Sequence, residues 1–361
     1  MKRILILGAG GPAAYNFVEA LKLVKSEKFY FVGSDANKWH LELMNVDKSY
    51  LVPYCTEPNY YDIINEIIDE NSIEFVHAQP DIEVFHLSEN RNKIKARTFL
   101  PSKKTIRICQ DKEKSAQIWE KNGIITYKTI KIDKDNLEED LKYAASELGF
   151  PFWIRATKGA GGKGSTPVKN IETAISWINY WISRGVDWEF IAQEYLPGKN
   201  IAFHSLFKNG KLITSQARER LEYIYPYLAP SGITGTPVVQ RIIHNEIVNE
   251  IATKAVTSID KNASGIFCVD LKCNKDGYPC PTEINAGRFF TSNLFFAYVG
   301  SKLGILEANL QYLYIKLGLN ESIPKDLKKY NIIPLGYYWI RHIDCGYHLI
   351  HENEFKWKKK I

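Results

Sequence analysis

The stretch from Gly265 to Arg288, GIFCVDLKCNKDGYPCPTEINAGR, constrains this chain more than any other. Asp276-Gly277 lies between two runs in which apolar residues alternate, the strongest short-range signature of a β-hairpin. A two-residue type I′ loop there pairs Lys275 with Tyr278, and the register then sets Asp270 opposite Glu283 and Cys268 opposite Asn285. Pro279 and Pro281 fall at non-hydrogen-bonded positions in this register, where a missing N–H costs the ladder nothing. Phe267, Val269, Leu271, Thr282 and Ile284 share a face that can pack on a core, while Asp270, Glu283 and Asn285 share the open face.

Two carboxylates directly opposite each other, with Cα atoms about 4.5 Å apart, repel. A bound cation removes that penalty. Two carboxylates and an amide oxygen are hard ligands suited to Mg²⁺ held partly by substrate phosphates, with Mn²⁺ as an alternative. The other reading of the same pattern is a solvated acidic face screened by Lys272.

With 361 residues, 45% of them hydrophobic, the chain has enough material for two or three domains. Residues 1–108 alternate strand and helix signals (RILILGAG, NFVEALKLV, FYFVGSD, YYDIINEIIDEN, EFVHAQPD), which implies a parallel sheet covered on both faces. Gly8, Gly10 and Ala13 form a GxGxxA turn, and Asp35 ends the second strand where a dinucleotide fold places its ribose-binding acid. A nicotinamide-dependent oxidoreductase is therefore one reading, and a glycine-permitted tight turn is the other. Residues 109–188 form a second part, beginning with a helix from Asp111 that is capped at Gly123. Residues 189–361 form a third, with the hairpin and a further candidate strand in 333–343.

No apolar run approaches the roughly 20 residues of a membrane span, so a cytoplasmic location without membrane contact is expected. The six cysteines form no CxxC pair or zinc spacing. The net charge of +6 owes much to Lys356 and Lys358 to Lys360, read as a solvated tail. No aromatic-basic module accompanies that tail, which argues against nucleic acid.

A second glycine-rich stretch runs from Lys158 to Ser165, KGAGGKGS. It is not a Walker A loop, because Lys163 is followed by Gly164 instead of Ser or Thr. Its glycines let backbone N–H groups approach phosphate oxygens, although an ordinary hairpin loop has the same appearance. Arg155 just before it lies in the otherwise apolar strand PFWIRAT, where an inward guanidinium needs an anionic partner such as phosphate.

Taken in order, these motifs resemble the ATP-grasp superfamily, closest to the synthetase halves of carbamoyl-phosphate synthase and to biotin carboxylase. The resemblance implies an α/β fold: an N-terminal Rossmann-like parallel sheet followed by a two-lobed ATP-grasp domain with antiparallel sheets. It implies that Lys112 and Arg155 contact ATP phosphates, and that Lys158, Gly159, Gly161, Gly162, Lys163 and Gly164 belong to a lid over them. The backbone of Glu194 and Leu196 is expected at the adenine edge, beside Gln193 and Tyr195. Asp270, Glu283 and Asn285 match the Mg²⁺ ligands. Arg288, with Arg155, matches the residues that neutralise the transferring phosphoryl group, although EINAGR is one residue longer than the ExNxR spacing of biotin carboxylases. Asn200 stands where the family usually has a ribose-binding glutamate, a change expected to lower nucleotide affinity or to favour a slow, regulatory nucleotide-binding protein. The implied activity is an ATP-dependent carboxylate-amine or carboxylate-thiol ligase acting through an acyl phosphate on small molecules, with a homodimer as the default assembly. Asp81, Glu83 and the segment RERLEYIYPYLAPSGITGT are expected near the substrate.

Overall fold

The computed structural model describes residues 1–157, 164–229, 231–342 and 357–359. The N-terminal β/α alternation folds into a parallel sheet ordered Trp357–Lys359, Lys48–Leu51, Phe29–Asp35, Lys2–Leu7, Phe75–Ala78. The helices Pro12–Lys22 and Tyr60–Asn71 carry buried apolar faces against it. The outermost strand comes from the basic C-terminal segment, so that segment is not simply a solvated tail: Lys358 pairs with Tyr50 and Lys359 with Leu51. Backbone hydrogen bonding to an open sheet edge decided its place, which charge counting does not register.

The glycines of the first turn are required by packing. A Cβ on Gly8 would lie 2.2 Å from Pro80 Cγ, and one on Gly10 would lie 2.2 Å from His40 Cβ. Asp35 spends both oxygens on backbone N–H groups, those of Gly10 and Asn37, each at 2.8 Å. Neither glycine has room for a side chain, and the carboxylate that would hold a ribose is already used on backbone N–H groups. This turn supports a tight connection and not a nicotinamide site.

A small antiparallel sheet follows, ordered Thr129–Ile132, Phe190–Glu194, Phe152–Ala156, Thr166–Val168. Phe190–Glu194 pairs with Phe152–Ala156, so the hydrogen-bonding break falls after Glu194 and not at residue 188. The helix Lys112–Lys121 starts as its sequence indicates, with Asp111 accepting from the Lys114 N–H and Gly123 at φ +66°.

The central antiparallel sheet has six strands in the order Pro279–Ala286, Gly265–Cys273, Asn200–Lys208, Lys211–Tyr223, Pro237–Ile243, Tyr338–Ile340. The last of these lies within the candidate strand 333–343. Ile201, Phe203, Ala217, Phe267, Val269, Leu271 and Ile284 form one face, packed on Val248, Ala252, Ala255 and Val256 of the helix Glu246–Ile259. The buried Trp119 joins this core and donates its indole N–H to the Ala255 carbonyl at 3.1 Å. Burying this face leaves the alternate residues of the same strands facing the cleft.

The hairpin reaches the expected pairing by an unexpected route. Asn274 N–H donates to the Tyr278 carbonyl, leaving a three-residue loop with Gly277 at φ +81° in place of the two-residue loop. Cys273 pairs with Pro279 and Leu271 with Pro281; a bulge at Thr282 then restores Asp270 opposite Glu283 and Cys268 opposite Asn285.

In the N-terminal domain, burial and then the nearby Asp35 charge push the Glu83 carboxyl up to about 8. The folded chain therefore keeps this proton from about pH 4.5 to about pH 8 while the unfolded chain loses it, so stability is full below that window and falls as pH rises through it. Glu83→Gln is expected to flatten the fall in melting temperature between about pH 5 and about pH 9. A variant whose pH profile overlays the wild type would rule out this origin.

Candidate active site

The cleft lies over the polar face of the central sheet and encloses a cavity of about 400 Å³. Its lining runs from Trp153, Gln193, Glu194 and Leu196 at one end, past Asp270, Glu283 and Asn285, to Arg288, Phe290 and Thr291 at the other. Asp270, Glu283 and Asn285 therefore meet in one place, on one face of the hairpin.

Each acidic group is met by cations. Glu283 lies 3.6 Å from Lys112 Nζ and 3.8 Å from Arg155 Nη2. Asp270 accepts from Arg220 Nη2 at 2.5 Å. Arg288 donates to Asn285 Oδ1 and makes a 2.5 Å ion pair with Asp81. Burial pushes Glu283 up, but Lys112, Arg155 and Arg288 outweigh it and hold the carboxyl below its ordinary range. Asp270 goes the other way: burial and the Glu283 charge raise it despite Arg220. The two opposed acids thus differ in how readily they ionise, as interacting neighbours do.

This donor set fits a hard divalent cation. Two carboxylate oxygens and an amide oxygen face one cleft, and a cation between them would relieve the repulsion that raises Asp270. Among the described residues no three His, Cys, Asp or Glu side chains gather as a metal site. Two carboxylates and an amide would supply only part of a Mg²⁺ shell, whose other positions phosphate oxygens can fill. With Lys112, Arg155, Arg218, Arg220 and Arg288 around Asp81, Asp270 and Glu283, cations outnumber carboxylates, as an anionic ligand requires.

The remaining expected residues are placed as follows. Gln193 is buried and bridges Arg155 Nη1 (3.2 Å) to Thr129 Oγ1 (3.2 Å). The Glu194 N–H is used on the Lys128 carbonyl at 3.0 Å; the Leu196 N–H has no backbone acceptor among the described residues. Tyr195 stacks on Trp153 at 6.0 Å, outside the cavity lining. Asn200 lines the cavity, and its Oδ1 accepts from Lys272 Nζ at 3.3 Å. Gly164, at φ +70°, returns the chain from the glycine loop and accepts from the Ala156 N–H. Lys158, Gly159, Gly161, Gly162 and Lys163 lie outside the described residues.

The segment RERLEYIYPYLAPSGITGT, expected near the substrate, does reach the cavity through Arg218, Arg220, Tyr223, Ser231, Ile233 and Gly235, but sequence reasoning missed Arg220 as the partner of Asp270. The signal was present in ITSQARERLEY, where two arginines two residues apart must share a face of a strand. Asp81, expected near the substrate, lines the cavity and also anchors Arg288; Glu83 is not among the lining residues.

A cleft between two antiparallel sheets, fronted by a parallel N-terminal sheet, defines an ATP-grasp fold. Comparison with known proteins agrees. Residues 111–184 match the carbamoyl-phosphate synthase L chain, ATP binding domain, family. Phosphoribosylamine–glycine ligase of Lactococcus lactis subsp. lactis (strain IL1403) is 27% identical over 190 residues, 50% of this chain and 45% of that protein, so the chain spans about half the length of this relative. Carboxyaminoimidazole ribonucleotide synthase from Aspergillus clavatus, complexed with ATP, superposes with a TM-score of 0.62 at 16% identity over 90% of this chain and 78% of its own. The biotin carboxylase domain of the Hydrogenobacter thermophilus 2-oxoglutarate carboxylase, complexed with MgADP, ADP and bicarbonate, gives 0.65 at 16% identity over 93% and 73%. The solved structures share the fold of this chain. Among the described residues no helix is long and apolar enough to cross a membrane.

Removing Arg220 leaves Asp270 beside Glu283 without its partner. Arg220→Met is expected to lower unfolding stability by on the order of 3 kcal/mol in urea titration, and adding Asp270→Asn should recover most of it. Equal losses in the single and double variants would show that the pair is not coupled.

Proposed function

We propose that this chain is a Mg²⁺-dependent ATP-grasp ligase that phosphorylates a small carboxylate and passes the acyl group to an amine or thiol. The observation that carries the reading is the opposed pair Asp270 and Glu283, set in the same cleft as Asn285 and ringed by Lys112, Arg155, Arg220 and Arg288. Asp270, Glu283 and Asn285 would hold Mg²⁺, which supplies charge neutralisation between the triphosphate oxygens.

Phosphoryl transfer needs positioning and electrostatic stabilisation more than a protein nucleophile. Lys112 and Arg155, now leaning on Glu283, are placed to take up phosphate oxygens. Trp153, Gln193, Glu194 and Leu196 line the end assigned to the purine. Arg288 is fixed by Asp81 and Asn285 beside Phe290, where a charge-spreading guanidinium meets the transferring group. A carboxylate oxygen forms the new bond to the γ-phosphorus as the bridging P–O bond breaks and ADP leaves with its electron pair. An amine then attacks the acyl carbon, phosphate departs, and the surplus proton goes to water. For a thiol acceptor, the thiolate makes the same attack.

Alanine at Glu283 is expected to reduce carboxylate-dependent ADP release at least ~10²-fold, and EDTA should abolish it in the wild type. Arg288→Ala should lower kcat by a similar ~10²–10³-fold with little change in the KM for ATP. Stabilisation by NADH and not by Mg-ATP, or release of ADP by Glu283→Ala at the wild-type rate, would contradict the ligase reading.

A further inference from the structure

The cation arrangement leaves one residue unexplained. Arg218 is 1% exposed and lines the cavity, yet no Asp or Glu oxygen lies within 4.0 Å of it among the described residues. Its Nε donates to His204 Nε2 at 3.1 Å, and His204 Nδ1 meets Asn293 Oδ1 at 2.9 Å. Burial and the neighbouring arginines keep His204 neutral, so this chain orients the guanidinium without neutralising it. Its Nη1 is buried and has no hydrogen-bond partner among the described residues. The Nδ2 of Asn293 and both side-chain ends of Gln240 are orphaned in the same way, and Gln240 pairs in register with Arg220.

The position of Arg218 separates it from the phosphate cations. Glu283, Asp270, Ala202 and Arg218 stand in register across four adjacent strands. Lys112 and Arg155 gather at the Glu283 end of that row, whereas Arg218 stands two strands beyond Asp270, roughly 10 Å away at Cα. Ala202, the residue between them, is small and buried. An unpaired buried cation is too costly to keep unless an anion answers it.

We propose that Arg218 is the seat of the carboxylate that becomes phosphorylated, and that the substrate is a small monocarboxylate with a neutral, hydrogen-bonding remainder. This rests on the ligase reading above. The unpartnered Nη1 of Arg218 can meet one carboxylate in the cavity that Phe290 and Thr291 also line, and the nearby Arg220 is already committed to Asp270, which leaves no free second cation at this seat for a dianion. The seat lies in the same cavity as Arg288, which connects it to the transferring group.

The test is titration by calorimetry and thermal shift in saturating Mg-ADP, with acetate, glycolate and glycine as probes and succinate and inorganic phosphate as dianions. The wild type should respond to at least one monocarboxylate more strongly than to the dianions. Arg218→Met should keep its Mg-ADP affinity within about twofold and lose the carboxylate response more than about tenfold. Without ligand it should melt no lower than the wild type, since an unpaired buried charge has been removed. Arg218→Gln serves the same comparison should the Met variant not fold. The inference is overturned if either variant keeps the carboxylate response, if Mg-ADP affinity falls in parallel, or if no monocarboxylate acts on the wild type. Failure of the wild type to bind Mg-ADP would instead overturn the ligase reading itself.

Discussion

Everything in the cleft follows from two acids that face each other across one strand pair. The hairpin could have presented Asp270 and Glu283 only at a cost, because like charges opposite each other destabilise a sheet. The rest of the cleft lowers that cost: Arg220 from the next strand but one, Lys112 from the first turn of a helix, Arg155 from the small sheet, and Arg288 from just beyond the hairpin end. Four separate parts of the chain thus converge on one charge problem, and the convergence defines the site. The apolar side of the same strands explains why it stays fixed, since Val269, Leu271 and Ile284 are locked against a helix while their neighbours face the cleft.

The hairpin also shows how sequence reading can reach a correct pairing through an incorrect path. A two-residue loop with regular strands, and a three-residue loop with one bulge, use the same number of residues between Asp270 and Glu283. Asp276-Gly277 marks the turn but does not distinguish the two, because Gly277 suits either. The choice was made by Asn274, whose Oδ1 accepts from the Asp276 and Tyr278 N–H groups and so favours the wider turn. The alternation of apolar residues fixed the faces, and this was enough to bring Asp270, Glu283 and Asn285 together.

Other features were not legible for physical reasons. The glycines of the N-terminal turn carry the spacing of a dinucleotide site, but spacing does not say what will pack against them; Pro80 and His40 come so close to Gly8 and Gly10 that only glycine fits. The C-terminal lysines read as solvent-facing because charge does not report backbone pairing, yet the segment Trp357–Lys359 completes the edge of the first sheet. Arg218 and Arg220 follow a strand period in sequence, but their contrasting roles depend on long-range partners, Asp270 for one and the neutral His204 for the other.

The strand Phe190–Glu194 belongs to the small sheet, and after only five intervening residues Asn200 begins a strand of the central sheet. The end of the cleft lined by Trp153, Gln193 and Leu196 therefore sits on the joint between the two. A rotation of the small sheet about this joint would barely displace the groups nearest the fulcrum, such as Leu196. Groups farther along the lever arm, including Arg155, would sweep through a longer arc. One end of the cleft can thus keep its dimensions while the other widens or narrows.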